Sequence, residues 1–442
     1  MTQASTGGPR ITNRNRDLVL NALRSGIVPA REARLIQVGR EKEISALVDG
    51  IKQISAGDGI SRFVIGDYGS GKTFFLNLMC QVAQQQKLVT MRADLTPDRR
   101  LQGTQGRARK LFSALISGMG VKGKTAQALP AVVEGFITQV RATAETEGRP
   151  IQELLREHLQ ALAAHPGGPT FAKVVEAYWQ AYEQGDEARR EAALRWLQAE
   201  YANKTEAARE LGVREIIDDR TIFDHLKLMA AFTTMAGYKG LLVCLDEMVN
   251  LYKLSHKGAR TSNYEQILNV INETQQGQAP HLGFLFGGTP DFLTDEHRGL
   301  YSYPALRSRL RENPFAKGGL VDYYGPVMRL SGFTREDFFV LLDKVLTLYT
   351  SCSNDIPGVD ARIIEAFMRH CEGRVGDAYF RTPRSTLKEF IGLLDVLAQN
   401  PGTDWRVQLE QVDISEEANP DLQPLTEKED VHNDAPLASF HL

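Results

Sequence analysis

The residues with the clearest capacity for chemistry are Gly66-Asp67-Tyr68-Gly69-Ser70-Gly71-Lys72-Thr73. They fit G-x-x-x-x-G-K-[ST], a loop whose glycines let successive backbone N–H groups turn inward around an anion. A helix that starts at the end of such a loop adds the positive end of its dipole. In that setting Lys72 reaches the outer phosphates of a nucleoside triphosphate, and the Thr73 hydroxyl ligates Mg²⁺. The second chemical pair is Asp246-Glu247, which closes the apolar run Gly240–Leu245. An aspartate there suits the Mg²⁺ shell. A glutamate beside it suits orienting and deprotonating a water, because phosphoryl transfer is mostly positioning and charge stabilisation.

These groups need a scaffold, and the apolar pattern supplies one. Arg62–Ile65 reads as a short buried strand leading into the loop, and Phe74–Met79 continues as a helix, with Phe74 bordering the loop. Leu88–Leu95 reads as a second strand running into the polar turn Thr96–Arg100, Gly240–Glu247 as a third, and His281–Pro290 as a fourth. Ligands of open α/β sheets collect at the carboxyl ends of strands, which draws Asp94, Asp98 and Arg99 toward the site. From about 106 to 237 helical spacing dominates, in the runs Ala131–Val140, Ile151–Leu162, Phe171–Tyr182 and Ala188–Tyr201. Breaks fall at Gly118–Gly123, Gly148–Pro150 and His165–Pro169. This stretch reads as a helical insertion between the second and third strands. Beyond Leu330 the chain turns helical again in Ser331–Leu348, Asp360–His370 and Ser385–Ala398, the last opened by Arg381-Thr382-Pro383-Arg384.

The expected fold class is therefore α/β: a parallel sheet flanked by helices, with a large helical insertion and a C-terminal helical lid. Residues 1–37 form an N-terminal arm, loose to about 15, and a helix over Asp17–Leu23; 38–105 form the first part of the core and 106–237 the insertion. The second part of the core is 238–328, the lid is 329–411, and 412–442 reads as an acidic flexible tail.

Composition narrows the classes. At 442 residues the chain is long enough for two or three domains, and 42 % hydrophobic with 24 % charged residues is ordinary for a globular protein. A net charge of −3 does not announce a nucleic-acid binder. Short basic clusters at Arg99-Arg100, Arg107–Lys110 and Arg307–Arg311 leave contact with a duplex backbone open. Four scattered cysteines form no C-x-x-C pair and favour a reducing compartment. No apolar run is long enough to span a bilayer, and the start lacks the apolar core of a secretory signal, so a cytoplasmic location is expected.

Several segments resemble the motifs of AAA+ ATPases. Val38-Gly39-Arg40-Glu41 is similar to the N-terminal box that lies near the adenine in those enzymes, which implies a nucleotide contact for Arg40. Thr289 matches sensor 1, between the two Walker elements. Arg309, after Ser308, matches the arginine finger given to a neighbouring subunit, with Arg307 and Arg311 as alternatives, and Arg384 matches sensor 2 of a lid. Together with Leu23–Pro29, Phe63–Leu76, Ala93–Leu95, Leu245–Glu247, Phe286–Phe292 and Arg381–Arg384, these segments resemble the ATP-binding proteins of BREX-type bacterial phage-defence loci, the BrxD-like group. The resemblance implies an ATPase using ATP and Mg²⁺ that assembles as a homo-oligomer, a ring or filament. It further implies defence-system proteins such as a helicase as partners, while double-stranded DNA is the partner expected from the short basic clusters. A nucleotide-gated scaffold with little hydrolysis, or a loader of the transposition or replication type, would use the same motifs.

Overall fold

The computed structural model describes residues 11–29, 32–351, 356, 358–375 and 383–411. The first ten residues, Cys352, Arg381, Thr382 and the acidic segment 412–442 lie outside the described residues.

Five strands form one sheet: β1 (Ile60–Ile65), β2 (Val89–Asp94), β3 (Leu241–Asp246), β4 (Leu282–Gly288) and β5 (Val327–Arg329). Their order is β2-β3-β4-β1-β5, and the pairings of β1 with β4, β2 with β3 and β3 with β4 are parallel. β3 and β4 are buried along their whole length, which is why each reads as a continuous apolar run rather than an alternating one. β5 was not foreseen. It is three residues long, and Phe63 donates its N–H to Pro326 O beside it at 2.8 Å.

The order fixes where ligands can gather. The chain leaving β1 travels past β4 and β3 to β2, whereas the chain leaving β4 travels past β1 to β5. Two crossovers departing in opposite directions make a switch point between β1 and β4, and the crevice beyond the carboxyl ends of such strands is where open α/β sheets hold ligands. Ile65, the last residue of β1, pairs with Gly288, the last of β4. The strand ending in Asp246 is the next one over.

Contacts divide the described residues into two compact units. One comprises 43–65 and 79–328. Its core spans the sheet, where Phe63 stacks on Phe286 with centroids 4.7 Å apart, and continues into the helices between β2 and β3. Those helices, Arg107–Ser117, Leu129–Glu147, Ile151–Gln160, Gly168–Gln184, Glu187–Leu197, Lys204–Leu211 and Ile222–Met235, bury Phe112, Phe136, Phe171, Trp196 and Phe232 in the same core. Arg100 and Arg107 are buried as well, at 2 % and 5 % exposure, so two members of the basic clusters are unavailable to a nucleic-acid backbone. Arg99, Lys110, Arg307, Arg309 and Arg311 are exposed.

The other unit joins 11–42, 66–78 and 329–411. Its first helix runs Asn13–Arg24, beginning earlier than the apolar spacing alone indicates, because the Thr12 side chain accepts from Asn15 N and caps it. Val19, Leu20 and Leu23 of that helix share a core with Phe338, Leu342, Phe367, Phe390 and Leu394 of the C-terminal helices. The helix Arg335–Thr350 opens with a full capping box between Thr334 and Asp337.

A polar clasp closes this unit. Arg24 donates to both oxygens of Asp395 at 2.7 Å, and the Tyr349 hydroxyl donates to Oδ1 at 2.8 Å. Burial alone would raise the Asp395 carboxyl, but the hydrogen bonds from Arg24 and Tyr349 hold it below the usual 3.8. Burial, with the hydrogen bond to Asp395, pushes Tyr349 up to about 12. A depressed carboxylate stabilises the fold fully above its ordinary value, and that contribution is lost as pH falls through the depressed one. Asp395→Asn is expected to cost roughly 1–2 kcal/mol and to flatten the acid side of the stability profile. Denaturant titrations at several pH values read both effects, and an unchanged acid limb would show that the clasp contributes nothing.

Candidate functional site

The glycine loop leaves β1 at Gly66, and the helix Lys72–Gln85 starts at Lys72. Gly69 and Gly71 hold φ of 71° and 85°, the left-handed region that side chains disfavour. At Gly66 a Cβ would stand 2.5 Å from Ser70 Oγ, so the loop closes on itself too tightly for a side chain there. Ser70 N donates to Asp67 O at 3.1 Å and Phe75 N to Gly71 O at 2.9 Å, which winds the loop directly into the helix. Lys72 Nζ donates to Gly66 O at 2.9 Å and Asp67 O at 2.8 Å, drawing the ammonium across the loop it belongs to. Ser70 is buried at 3 % exposure and its Oγ has no hydrogen-bond partner among the described residues. A buried hydroxyl left that way costs about 1–3 kcal/mol, and it fits a loop built to meet additional oxygens. Asp67 is exposed, whereas Tyr68, Thr73 and Phe74 are half-buried. Phe74 packs against the apolar core of the C-terminal helices.

Arg40 lies in the same unit as the loop. Gly39 and Arg40 are both left-handed, with φ of 62° and 61°. The Arg40 guanidinium donates to Ser70 O at 2.6 Å and to Ser331 O at 3.4 Å, and it sits 5.0 Å from the Phe333 ring centre and 6.0 Å from that of Phe75. Arg384 is exposed in the first turn of the helix Pro383–Gln399; a Cβ on Gly26 would lie 3.2 Å from its Nε. The left-handed Gly26 ends the helix Asn13–Arg24, so the Leu23–Pro29 segment passes close to Arg384 because glycine leaves the room.

The carboxylate pair belongs to the sheet unit. Asp246 is 1 % exposed at the end of β3, and Glu247 is exposed one residue later with φ of 56°. The geometry of that turn has identifiable causes. Asp246 Oδ1 accepts from Glu247 N at 2.9 Å, Met248 N donates to Gly287 O of β4 at 3.0 Å, and Asn250 N donates to Glu247 O at 3.0 Å. Pinned on both sides, Glu247 takes a left-handed conformation that costs a non-glycine residue about 1–2 kcal/mol. Strain of this kind, held in place by surrounding hydrogen bonds, is concentrated at functional sites.

β2 brings two further charges. Asp94 pairs in register with Asp246, and Arg92 Nη2 lies 3.6 Å from Asp94 Oδ1 and 4.0 Å from Asp246 Oδ2. Desolvation at the strand end raises the Asp94 carboxyl, Arg92 opposes the rise, and the neighbouring Asp246 adds to it. Arg92 thus stands beside both strand-end carboxylates. The sequence reading passed over it, although an arginine inside an apolar strand is a visible signal.

Thr289 is buried, and its Oγ accepts from Phe292 N at 3.4 Å, capping the helix Pro290–Thr294. Arg309, on the exposed helix Pro304–Leu310, donates to Asn272 Oδ1 at 2.9 Å and to Ala305 O at 3.1 Å. Arg307 pairs with Glu296 at 2.7 Å. The loop, Arg40 and Arg384 therefore fall in one unit, and Asp246, Glu247, Thr289 and Arg309 in the other.

Among the described residues, no helix is long and apolar enough to cross a membrane. No curated protein matches the chain. A family model described as BREX system ATP-binding protein BrxC/D matches residues 11–413. That match covers nearly the whole chain, agrees with the resemblance carried by the motifs, and implies an ATP-binding role in phage defence. The chain belongs to the BrxC/BrxD family of BREX-system ATP-binding proteins.

Proposed function

We propose that the protein is a AAA+-like ATPase that binds Mg-ATP at Gly66–Thr73 and hydrolyses it, using the nucleotide state to control assembly and the recruitment of partners. The observation that carries this reading is the sheet order. The strand feeding the phosphate loop and the strand ending in Asp246 run parallel, with only the strand that ends ahead of Thr289 between them. That order brings the carboxyl ends of β1, β4 and β3 to one edge of the sheet.

Backbone N–H groups of the loop and Lys72 bind the phosphates. By donor type alone, the Thr73 hydroxyl and the Asp246 carboxylate are hard oxygens of the kind Mg²⁺ takes together with phosphate oxygens. Bound there, Mg²⁺ would neutralise charge on the phosphates. Glu247 orients and deprotonates the attacking water, Thr289 holds that water or the outer phosphate, and Arg384 reports the phosphates to the C-terminal helices. Arg309 acts in trans on the nucleotide of a neighbouring copy, in a ring or filament. Exposed Arg99, Lys110, Arg307 and Arg311 support contact with duplex DNA, and a helicase of the same defence system is the kind of partner recruited.

Phosphate release from Mg-ATP by the purified chain, with and without duplex DNA, tests the reading. Turnover supports it; ATP binding without turnover in any condition would leave a nucleotide-gated scaffold instead. A trans role for Arg309 has its own signature. Arg309→Ala is expected to leave ATP binding intact and to lower turnover by about 10³-fold, the low end for an arginine finger. Mixing it with Lys72→Ala protein should restore part of the activity, because each variant then supplies what the other lacks. No recovery in the mixture would confine Arg309 to its own chain.

A further inference from the structure

The sequence pattern places Arg40 near the base of the nucleotide, but its geometry gives it another task. Its guanidinium meets the phosphate loop from behind: Nη2 is 2.6 Å from Ser70 O. A trans peptide holds its C=O and the following N–H in opposite directions. With the Ser70 carbonyl drawn to Arg40, the N–H of Gly71 points the other way, away from the guanidinium. Gly71 is the second of the loop's two left-handed glycines, at φ 85°, immediately before Lys72. A Cβ added there would stand 3.5 Å from Arg40 Nη1, so the loop and the guanidinium lie in close contact.

The guanidinium is itself held firmly. The Phe333 ring centre is 5.0 Å away and the Phe75 ring centre 6.0 Å, distances at which an arginine gains cation–π attraction. Ser331 O lies 3.4 Å from the same Nη2. The backbone gives up conformational freedom to aim the side chain, since Arg40 follows the left-handed Gly39 and is left-handed too. A Cβ on Gly39 would meet Asp337 Oδ1 at 3.2 Å, so this turn packs on the capping box of the helix Arg335–Thr350.

We propose that Arg40 is a positioning residue for the phosphate loop. It fixes the Ser70–Gly71 peptide so that the Gly71 N–H faces the anion, and it couples that peptide to the Ser331–Phe333 segment leading into the C-terminal helices. The proposal rests on the ATP-binding reading of Gly66–Thr73 and assigns Arg40 to the phosphates rather than the base. Lysine cannot substitute fully, because one ammonium lacks the planar fork that donates to Ser70 O while stacking on Phe333.

Binding of ATP, GTP and inorganic tripolyphosphate, each with Mg²⁺, to the full chain and to Arg40→Ala tests it. Arg40→Ala is expected to weaken all three by a common factor, about tenfold or more, the effect of losing a charged hydrogen bond. The preference between ATP and GTP should stay as it is, and Arg40→Lys should recover only part of the loss. A changed ATP-to-GTP preference with unaltered tripolyphosphate affinity would overturn the proposal and make Arg40 a base contact. Equal affinities in variant and unmodified chain would overturn it as well. Should Arg40→Ala fail to fold, Phe333→Leu removes the stacking partner alone and is expected to weaken the three ligands by a smaller common factor; no loss there counts against the proposal. Absence of ATP binding by the unmodified chain is a separate result, which would contradict the underlying reading too.

Discussion

Replacing Lys72 with alanine is expected to weaken ATP binding by at least about 10²-fold, the effect of losing a charge-assisted contact to the phosphates together with the order it imposes on the loop. The second contribution is visible in the geometry. Lys72 Nζ donates to Gly66 O and Asp67 O, so the side chain also braces the start of the loop. Its removal leaves two carbonyls without that donor and no cation facing the phosphates. Thermal denaturation with increasing Mg-ATP is a direct measurement, because a ligand that binds only the folded state raises the midpoint as its concentration rises. The unmodified chain should show that rise and Lys72→Ala should not. The ligand-free midpoint of the variant should stay close to that of the unmodified chain, since Lys72 is only half-buried and supports no apolar core. An equal rise in both proteins would place the nucleotide elsewhere.

Glu247→Gln is expected to do the opposite: keep ATP binding and lower turnover by about 10²–10⁴-fold, the range for removing a general base. Glutamine preserves the shape of the side chain and the left-handed turn between Asp246 and Met248. The network that pins the turn, Glu247 N to Asp246 Oδ1, Met248 N to Gly287 O and Asn250 N to Glu247 O, uses no side-chain atom of residue 247 and survives the change. Only the proton-accepting oxygen is lost. The variant should therefore hold its triphosphate, and any assembly that depends on ATP binding should persist longer in it than in the unmodified chain.

Much of this architecture was legible in the residues, for physical reasons that differ from element to element. β3 and β4 announced themselves because strands buried on both faces are apolar throughout, β1 and β2 by their short apolar, β-branched runs, and the glycines of the loop because the left-handed turns at Gly69 and Gly71 leave few alternatives. The family, too, could be read from short segments such as Leu23–Pro29 and Phe286–Phe292, and the match over residues 11–413 bears that out. β5 could not be read, because three residues at a sheet edge carry no periodicity. The burial of Arg100 and Arg107 ran against the usual exposure of arginine and was equally hidden.

Long-range polar geometry was the least legible layer. Nothing in the spacing of Arg24, Tyr349 and Asp395, 46 to 371 residues from partner to partner, indicates a clasp, and nothing in Val38-Gly39-Arg40-Glu41 indicates that the arginine grips the Ser70 carbonyl. Such contacts depend on the N-terminal helix and the C-terminal helices sharing a core, against which Phe74 packs. Arg92 was overlooked for a related reason: its relevance depends on the register that sets Asp94 beside Asp246, and a register is a property of two strands rather than one.

The central claim is that this chain hydrolyses the ATP it binds, with Glu247 activating the water. Steady-state phosphate release from Mg-ATP, measured on the unmodified chain and on Glu247→Gln at matched nucleotide occupancy, tests it most directly. The account predicts turnover in the first and its near-complete loss in the second while both remain loaded with ATP. Equal turnover in the two proteins, or none in the unmodified chain when ATP is bound, with and without duplex DNA, would contradict it.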